Sequence, residues 1–414
     1  MRISLDCLGA SREVGRSAFL LQTDRQILLD YGVKIFDQSG MPKFPSENIR
    51  PDLMLLSHAH LDHSGFIPAL YKHSNIKWFA TPPTEEICEI LWLDSMKIME
   101  RDLPYHLSHF KRATKNFHPI PYNCPFHAGE TEITFLDAGH ISGAAITTLD
   151  YGGKRVCYTG DFKMGETNLH SGAKPVKDVD ALIIESTYGN RDHPPRKELE
   201  NQLIAEIRET VESGGTVLLP AFSLGRTQEL ISVIRKYDRS VPLFVDGMGK
   251  ELSRIYLKYP GYLKDAKEFR KALQSVTLVS SIPDRKRATQ IPGVIVTSAG
   301  MMSGGPVLNY LFNVNSESKV IFTGYCVEGT NGWKLLNEDH ITKDGQDLVV
   351  DLPVEYLDFS AHAGKSDLLK FIQAANPEKV ILVHGDKPEL FAEELARDFG
   401  FDAIAPLLGE RIEL

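Results

Sequence analysis

The sequence has few cysteines, and they are too scattered to cross-link the chain in a regular way. The 414 residues include five cysteines, and no two of them form a CxxC motif. Their odd number and wide spacing argue against a disulfide framework and favour a reduced, cytoplasmic location. A chain of this length buries enough surface to fold without such cross-links.

Long apolar runs, nucleotide-binding motifs and an excess of positive charge are also missing. No apolar run approaches the roughly 18 residues that a membrane span needs, so we expect no membrane partner. No GxxxxGK[ST] or GxGxxG motif occurs, so nothing predicts nucleotide-driven chemistry. The formal net charge of -9 argues against a general nucleic-acid binder, although the charge of a binding groove matters more than the total.

The composition that remains is that of a globular protein with two different rhythms. Hydrophobic residues make up 42% and charged residues 24% of the chain, close to globular averages. Short strand patterns dominate up to about residue 189. Beyond it helices and strands alternate, which is typical of a parallel α/β unit. A hairpin signal at Lys343-Asp344-Gly345 ends this stretch, so the rhythm predicts segments 1–189, 190–344 and 345–414.

One short segment carries an unusual density of metal ligands. Residues 57–63 read SHAHLDH and directly follow the predicted strand Leu53–Leu56. Neutral imidazoles and carboxylates are normal zinc ligands, bound at about 2.0–2.2 Å. Three histidines and one aspartate exceed what one tetrahedral ion needs once downstream ligands are added. The segment therefore predicts a metal centre that holds more than one ion.

Further ligand-type residues follow other predicted strands. His140 comes after the strand Glu132–Leu136, Asp161 comes after Arg155–Thr159, and Asp30 ends an apolar strand. Each of these alone is compatible with an ordinary turn or helix cap. Together they repeat one pattern, in which a ligand-type side chain stands at the carboxyl end of a strand.

HxHxDH, a separate histidine and a Gly-Asp after a strand closely resemble the metallo-β-lactamase fold superfamily. The resemblance implies a site for two zinc ions between two β-sheets flanked by helices. It implies that the first zinc is bound by His58, His60 and His140, and that the second zinc is bound by Asp62 and His63. Asp161 would be a ligand shared by both ions. Asp30 would orient a ligand histidine by a hydrogen bond.

Three motifs in the second half narrow the resemblance. They are Glu185 in IESTYG, His362 in FSAHAG and His384 in LVHGD, and they resemble motifs A, B and C of the β-CASP nucleases. The resemblance implies an α/β protein, an αββα metallo-β-lactamase sandwich with an inserted parallel α/β (β-CASP) domain. The sandwich would comprise residues 1–189 and 345–414, and the β-CASP domain would comprise residues 190–344.

The phrases FSAHAG and ILVHGD look most like the endonuclease subunit of the cleavage and polyadenylation specificity factor and its prokaryotic relatives. A histidine at motif C favours RNA, because the DNA-directed Artemis-like branch usually has valine there. The resemblance implies a zinc-dependent ribonuclease, endonucleolytic, that leaves a 5′ phosphate and a 3′ hydroxyl in RNA 3′-end processing or decay. His384 would complete the second zinc's ligands. The implied catalytic residues are His362 as the acid, Glu185 beside it to raise its pKa, and the carboxylates Asp62 and Asp161.

Several alternatives remain open at this point. A 5′-to-3′ exoribonuclease of the ribonuclease J type uses the same chemistry. It usually has an appended C-terminal domain, which we do not expect because the chain ends at Leu414, soon after His384. A DNA nuclease is another possibility, as is a small-molecule hydrolase of the superfamily. A non-catalytic scaffold subunit is a further alternative. Such a subunit would have lost some of the ligand residues, whereas all of them are present in this sequence.

The sequence also offers candidate RNA contacts. The run Arg285-Lys286-Arg287 is the best candidate for steering a phosphate backbone, and Arg226 is a further basic candidate. Ser298 and Gly300 lie in a Gly/Ser-rich stretch that either presents backbone amides to a phosphate or forms a tight turn before a helix. The expected partner is RNA, with a homodimer or other RNA-processing subunits as further candidates.

Overall fold

The computed structural model describes residues 2–35, 41–99 and 102–414, which form two compact units. The first unit comprises the described parts of Met1–Glu166 together with His170–Asp192 and His362–Leu414. The second unit comprises Thr167–Leu169 and His193–Ala361. Among the described residues, no helix combines the length and apolar character that crossing a membrane requires.

The first unit is built on two β-sheets, each with seven strands in its described part. In spatial order, the strands of the first sheet are Arg411–Glu413, Ser4–Cys7, Phe19–Gln22, Gln26–Leu29, Leu53–Leu55, Lys77–Ala80 and Phe117–Pro119. The strands of the second sheet are Ala403–Ile404, Lys379–Val383, Ala181–Glu185, Lys154–Tyr158, Ala145–Tyr151, Thr131–Asp137 and Phe126–Ala128.

The two sheets pack face to face over one hydrophobic core. Alternate residues of a strand point to the same face, and both sheets contribute such residues to a shared buried cluster. Leu5, Phe19 and Leu29 come from the first sheet, and Phe135 and Ile183 come from the second. All five side chains are fully buried.

The centre of the second sheet positions one set of functional side chains. The strands Lys154–Tyr158, Ala181–Glu185 and Lys379–Val383 run parallel to one another. Their carboxyl ends therefore share one edge of the sheet, where ligands of open α/β sheets generally bind. Asp161 and His384 follow two of these strands.

Six helices accompany the described sheets of the first unit. They are Leu61–Ser64, Ile67–Leu70, Pro82–Ile98, Leu107–Lys115, Lys365–Ala375 and Pro388–Phe399. The longest begins with two prolines, which suit the first helical turn because proline has a fixed φ and no N–H. The sequence predicts that this helix continues to about Arg101, a position outside the described residues.

The second unit, whose residues are all described, contains a six-stranded sheet with every pairing parallel. Its strands in spatial order are Thr277–Leu278, Leu243–Asp246, Gly293–Thr297, Thr216–Pro220, Lys319–Phe322 and Val354–Tyr356. Its helices are Arg196–Glu212, Arg226–Tyr237, Gly249–Lys258, Ala266–Gln274, Ile282–Ala288, Val307–Leu311 and Asn331–Glu338, with a 3-10 turn at Pro260–Tyr262. This arrangement is the parallel α/β unit that the alternating rhythm predicts.

The end of the second unit differs from the prediction in one respect. The predicted hairpin is present, because His340–Lys343 pairs with Gln346–Val349 around Asp344 and Gly345 at φ 52° and 77°. The predicted return to the first domain at residue 345 does not occur there. Val354–Tyr356 pairs in parallel with Lys319–Phe322, so this strand extends the sheet of the second unit. A short apolar strand pattern does not specify which sheet the strand joins.

Candidate metal centre

Four side chains meet in what we call the first donor group: His58, His60, His140 and Asp161. The Nδ1 atom of His60 lies 3.1 Å from Nε2 of His58 and 3.1 Å from Nε2 of His140. The Oδ2 atom of Asp161 lies 3.5 Å from Nε2 of His58 and 3.9 Å from Nε2 of His140. Four potential ligand atoms thus surround one point.

The second donor group shares Asp161 with the first and adds Asp62, His63 and His384. The Oδ1 atom of Asp161 lies 3.3 Å from Nε2 of His63. The Nε2 atom of His384 lies 3.3 Å from Oδ2 of Asp62. The two oxygens of Asp161 therefore face different donor groups, which suits a carboxylate that bridges two cations.

The geometry and chemistry of these atoms fit a tetrahedral metal site. Zinc–nitrogen bonds of 2.0–2.1 Å place neighbouring ligand atoms about 3.3 Å apart on the edges of a tetrahedron. Most of the separations given above are close to this length. The Oδ1 atom of Asp161 is buried without a hydrogen-bond partner in the described structure, as expected of an oxygen shaped to bind a cation.

The protonation states of two histidines of the first donor group also suit metal binding. Burial, followed by the nearby His63, lowers the pKa of His58 well below its usual value. Burial likewise lowers the pKa of His60. Both rings are therefore neutral near pH 7, which is the form that offers a lone pair to a metal.

Asp30 holds the second donor group from behind. Its buried carboxylate accepts hydrogen bonds from the Ser57 N–H at 2.7 Å, the Ser57 hydroxyl at 2.6 Å and the Tyr158 hydroxyl at 2.6 Å. Nδ1 of His63 lies 2.6 Å from Oδ2 of the same carboxylate. A proton on that nitrogen leaves Nε2 of His63 free to face Asp161.

Glu185 and His362 form a third group, which we call the acid pair, beside Asp161. The Nδ1 atom of His362 lies 3.0 Å from Oε2 of Glu185 and 3.9 Å from Oδ2 of Asp161. Glu185 also accepts hydrogen bonds from the Phe162 N–H at 2.9 Å and the Thr187 hydroxyl at 2.6 Å. The carboxylate is thus held from several sides and fixes the ring of His362.

The electrostatics of the acid pair favour a charged imidazole. Burial lowers the pKa of His362, but the carboxylates Glu185 and Asp161 outweigh burial and raise the pKa to about 9. The His362 side chain is 21% exposed, so it remains accessible to a substrate. A cationic, accessible imidazole next to a metal centre is suited to donate a proton.

An aromatic ring and a guanidinium lie beside the acid pair. The Tyr188 ring centroid is 6.0 Å from that of His362. The Arg191 guanidinium lies 4.6 Å from the Tyr188 ring centroid. Sequence reasoning identified neither residue, because an aromatic next to a motif is far more often a packing residue.

The predicted RNA contacts all lie in the second unit. Ser298 and Gly300 follow the strand Gly293–Thr297. Gly300 packs closely against Phe222, because a Cβ atom added to Gly300 would lie 2.9 Å from the backbone nitrogen of Phe222. Arg226 begins a helix. Within the basic run, Nε of Arg285 donates a hydrogen bond to Oδ2 of Asp246 at 2.7 Å. Lys286 and Arg287 are its exposed cations.

The residues that support the ligands were also missing from the sequence prediction. Ser57, Tyr158 and Thr187 all bond to functional carboxylates. Their only sequence signal is proximity to a motif residue, since hydroxyl side chains are common in every loop. The contact between Tyr158 and Asp30 joins residues 128 positions apart, so only the folded chain reveals it.

Comparison with known protein families gives three matches, in order along the chain. A beta-lactamase superfamily domain matches residues 25–213, and a Beta-Casp domain matches residues 227–335. A Zn-dependent metallo-hydrolase RNA specificity domain matches residues 347–406. The first and third matches contain the ligand-type residues of both donor groups and the acid pair.

Comparison with individual proteins extends over the full length. The chain is 36% identical to "Probable RNase MJ4" of Methanocaldococcus jannaschii, over 98% of this chain and 99% of that protein. The chain belongs to the β-CASP family of metallo-β-lactamase-fold hydrolases. It is also 36% identical to "RNase aCSPSF2" of Saccharolobus solfataricus, over 100% of this chain and 86% of that protein. The resemblance to prokaryotic relatives of the cleavage-factor endonuclease is thereby confirmed.

Two further similarities agree with this assignment. The β-CASP chain is 33% identical to "Transcription termination factor FttA" of M. jannaschii, over 98% of this chain and 70% of that protein. Its fold resembles a solved structure, a protein of unknown function from Enterococcus faecalis V583, with a TM-score of 0.66, 16% identity and 100% coverage of both chains. At that identity the structural match supports the fold alone.

Proposed function

We propose that this β-CASP protein is a zinc-dependent ribonuclease that cleaves RNA internally and leaves a 5′ phosphate and a 3′ hydroxyl. The observation that carries the proposal is the position of Asp161. Its two oxygens face the two donor groups, and the acid pair lies beside it. A two-cation site next to a proton donor is suited to hydrolysis of a phosphodiester. The names of the relatives, two RNases and a transcription termination factor, support RNA as the substrate. RNA 3′-end processing or decay is the setting that we propose.

In this proposal the donor groups bind two zinc ions. His58, His60 and His140 would hold one ion, Asp62, His63 and His384 would hold the other, and Asp161 would be shared between them. Bound zinc supplies Lewis-acid chemistry that polarises the phosphate and lowers the pKa of a water molecule. Asp62, with 32% of its side chain exposed, orients the attacking water by accepting its hydrogen bond.

The acid pair acts on the other side of the phosphorus. Glu185 fixes Nδ1 of His362, so the proton for transfer is on Nε2. As the P–O3′ bond breaks, His362 donates this proton to O3′ and the upstream fragment leaves with a 3′ hydroxyl. The new P–O bond comes from water, so the downstream fragment carries the 5′ phosphate.

In this proposal, several groups recognise single-stranded RNA. Tyr188 offers a ring for base stacking next to His362, and Arg191 adds a cation. In the second unit, Lys286 and Arg287 contact the phosphate backbone in this proposal. Ser298 and Gly300 present backbone amides to a phosphate, and Arg226 adds a further cation.

Product analysis on two matched RNAs tests the proposal. Each RNA is labelled internally and at its 3′ end, one carries a 5′ monophosphate, and the other carries a 5′ triphosphate. The protein with Asp62→Ala and His63→Ala serves as the matched control. We expect discrete internal fragments from both RNAs with the wild-type protein and none with the control.

Two other outcomes would change the proposal. Mononucleotides released only from the monophosphate RNA would replace the endonuclease with a 5′-to-3′ exonuclease. If neither RNA is cleaved while two zinc ions are bound, the chain is not a ribonuclease by itself.

A further inference from the structure

A single hydroxyl group lies between the acid pair and the second donor group. Thr187 follows the strand Ala181–Glu185. Its Oγ1 atom lies 2.6 Å from Oε2 of Glu185 and 3.3 Å from Nδ1 of His384. It also lies 3.1 Å from the main-chain oxygen of His384. The hydroxyl therefore contacts both a residue that orients the catalytic acid and a residue that offers a metal ligand.

The hydroxyl of Thr187 cannot donate a hydrogen bond to all of its neighbours. A threonine hydroxyl has one proton to donate and lone pairs with which to accept. The carboxylate of Glu185 is the nearest and most basic acceptor, and charge-assisted hydrogen bonds are the strong ones. The proton of Thr187 therefore goes to Glu185, and its oxygen is left as an acceptor.

This division determines the tautomer of His384. If the oxygen of Thr187 only accepts, Nδ1 of His384 must carry the proton that joins them. The lone pair is then on Nε2, which lies 3.3 Å from Oδ2 of Asp62 within the second donor group. Nδ1 is also 3.4 Å from Oδ1 of Asp161, but that oxygen has no hydrogen-bond partner in the described structure.

The main chain of His384 is held as well. Its N–H donates a hydrogen bond to the Ala10 carbonyl at 2.9 Å, and its φ is 50°. With the backbone anchored, the side-chain hydrogen bond to Thr187 decides which nitrogen faces the donor group. Such contacts to a ligand histidine commonly tune metal affinity.

We propose that Thr187 is a positioning residue that couples the acid pair to the second donor group. It fixes the carboxylate of Glu185 and holds His384 with its proton on Nδ1, so that Nε2 binds metal. This inference rests on the proposed function for its catalytic part. Its metal-binding part stands on the hydrogen bonds of Thr187 alone.

The test compares Thr187→Val, which removes the hydroxyl at nearly constant volume, with Thr187→Ser, which keeps it. Thr148→Val, at a buried threonine of the strand Ala145–Tyr151, is the control for the chemical change itself. For each variant, competition with a chelator gives the affinities of the two zinc ions. Steady-state cleavage of RNA gives kcat and KM, and imidazole ¹⁵N shifts report the tautomer of His384.

We expect Thr187→Val to lower the affinity for one of the two zinc ions about 10–100-fold and to leave the affinity for the other unchanged. At saturating zinc its kcat should fall at least about tenfold with little change in KM, since substrate contacts are intact. Thr187→Ser should keep the zinc affinity and the kcat of the wild type, because it retains the hydroxyl. Thr148→Val should also match the wild type.

The proposal is overturned if Thr187→Val binds both zinc ions with wild-type affinity, or if Thr187→Ser fails in the same way as Thr187→Val. A wild-type protein that binds zinc but cleaves no RNA contradicts the proposed function. The zinc affinities and the ¹⁵N shifts still decide the role of Thr187 in that case.

Discussion

The imidazole of His362 and the carboxylate of Glu185 form a contact of 3.0 Å between Nδ1 and Oε2. The two residues are separated by 177 positions in the chain, and Glu185 is the last residue of the strand Ala181–Glu185. Because the same imidazole nitrogen lies 3.9 Å from Asp161, the proposed proton donor and the proposed cation-binding carboxylate lie next to each other. In the proposed function, proton transfer to the leaving oxygen and metal chemistry at the phosphate therefore take place at neighbouring groups.

The first prediction concerns the acid pair. His362→Ala should lower kcat by about 10²–10⁴-fold, the range typical of a lost general acid, and should leave both zinc ions bound. Glu185→Gln should lower kcat less, because the imidazole remains but loses the carboxylate that keeps it charged and oriented. Metal content and single-turnover cleavage, measured on the same samples, check both expectations. Loss of zinc from His362→Ala would show that this histidine is a ligand instead of the acid.

The second prediction concerns the carboxylate behind the metal centre. Asp30→Asn places an amide among four donors from Ser57, Tyr158 and His63. We expect it to lower the free energy of unfolding by about 1–3 kcal/mol, the usual cost of an unsatisfied buried polar group. It should also lower the affinity for the zinc ion that His63 would bind. Tyr158→Phe removes one donor and should cost about 1 kcal/mol.

Urea unfolding and chelator competition measure these effects. The account of Asp30 is contradicted if Asp30→Asn keeps the wild-type stability and binds both ions unchanged.

The third prediction is a pH dependence in the second unit. Burial raises the pKa of Asp246, but hydrogen bonds from Arg285 and Tyr310 outweigh burial and lower the pKa below its usual value. A carboxyl group whose pKa is depressed by folding stabilises the protein above its unfolded pKa of about 3.9. That contribution is lost as the pH falls through the lower, folded value.

Arg285→Gln should therefore reduce stability near neutral pH and flatten its dependence on pH below about 4. Thermal unfolding between acidic and neutral pH compares this variant with Lys286→Gln, at an exposed neighbour. Equal pH dependence in both variants would mean that Asp246 and Arg285 are not coupled in solution.

The fourth prediction concerns the exposed cations of the basic run. Lys286→Gln combined with Arg287→Gln should weaken RNA binding and reduce its salt dependence. Each lost contact to a single-stranded phosphate should change the slope of log affinity against log salt by about 0.7. RNA binding at several salt concentrations gives the slope. An unchanged slope would show that this run does not contact RNA.

The candidate ligand residues can be recognised in the sequence because each follows an apolar strand and belongs to a recognisable motif. His58, Asp161 and His384 lie in such positions, and the structure brings their side chains together. The hairpin at Asp344 and Gly345 was equally predictable, since both residues favour the positive φ that its turn requires.

The rest depends on tertiary contacts that a single sequence does not reveal. The strand Val354–Tyr356 joins the second unit because it pairs with Lys319–Phe322, and its own pattern would fit either sheet. Arg285 looked like a free cation because its partner, Asp246, is 39 positions away. Thr187 looked like any loop hydroxyl until Glu185 and His384 were placed on either side of it.

The most direct test of the central claim is RNA cleavage by zinc-loaded protein with and without the shared carboxylate. Wild type and Asp161→Asn are reconstituted with zinc, their metal content is measured, and both are given the same internally labelled RNA. The account predicts that the wild type binds two zinc ions per chain and cleaves the RNA. Asp161→Asn should bind fewer ions, because it removes the carboxylate that both donor groups share. Its cleavage rate should fall at least about 10³-fold, because zinc and the acid act at one phosphate. Cleavage by Asp161→Asn at a rate near that of the wild type would contradict the account.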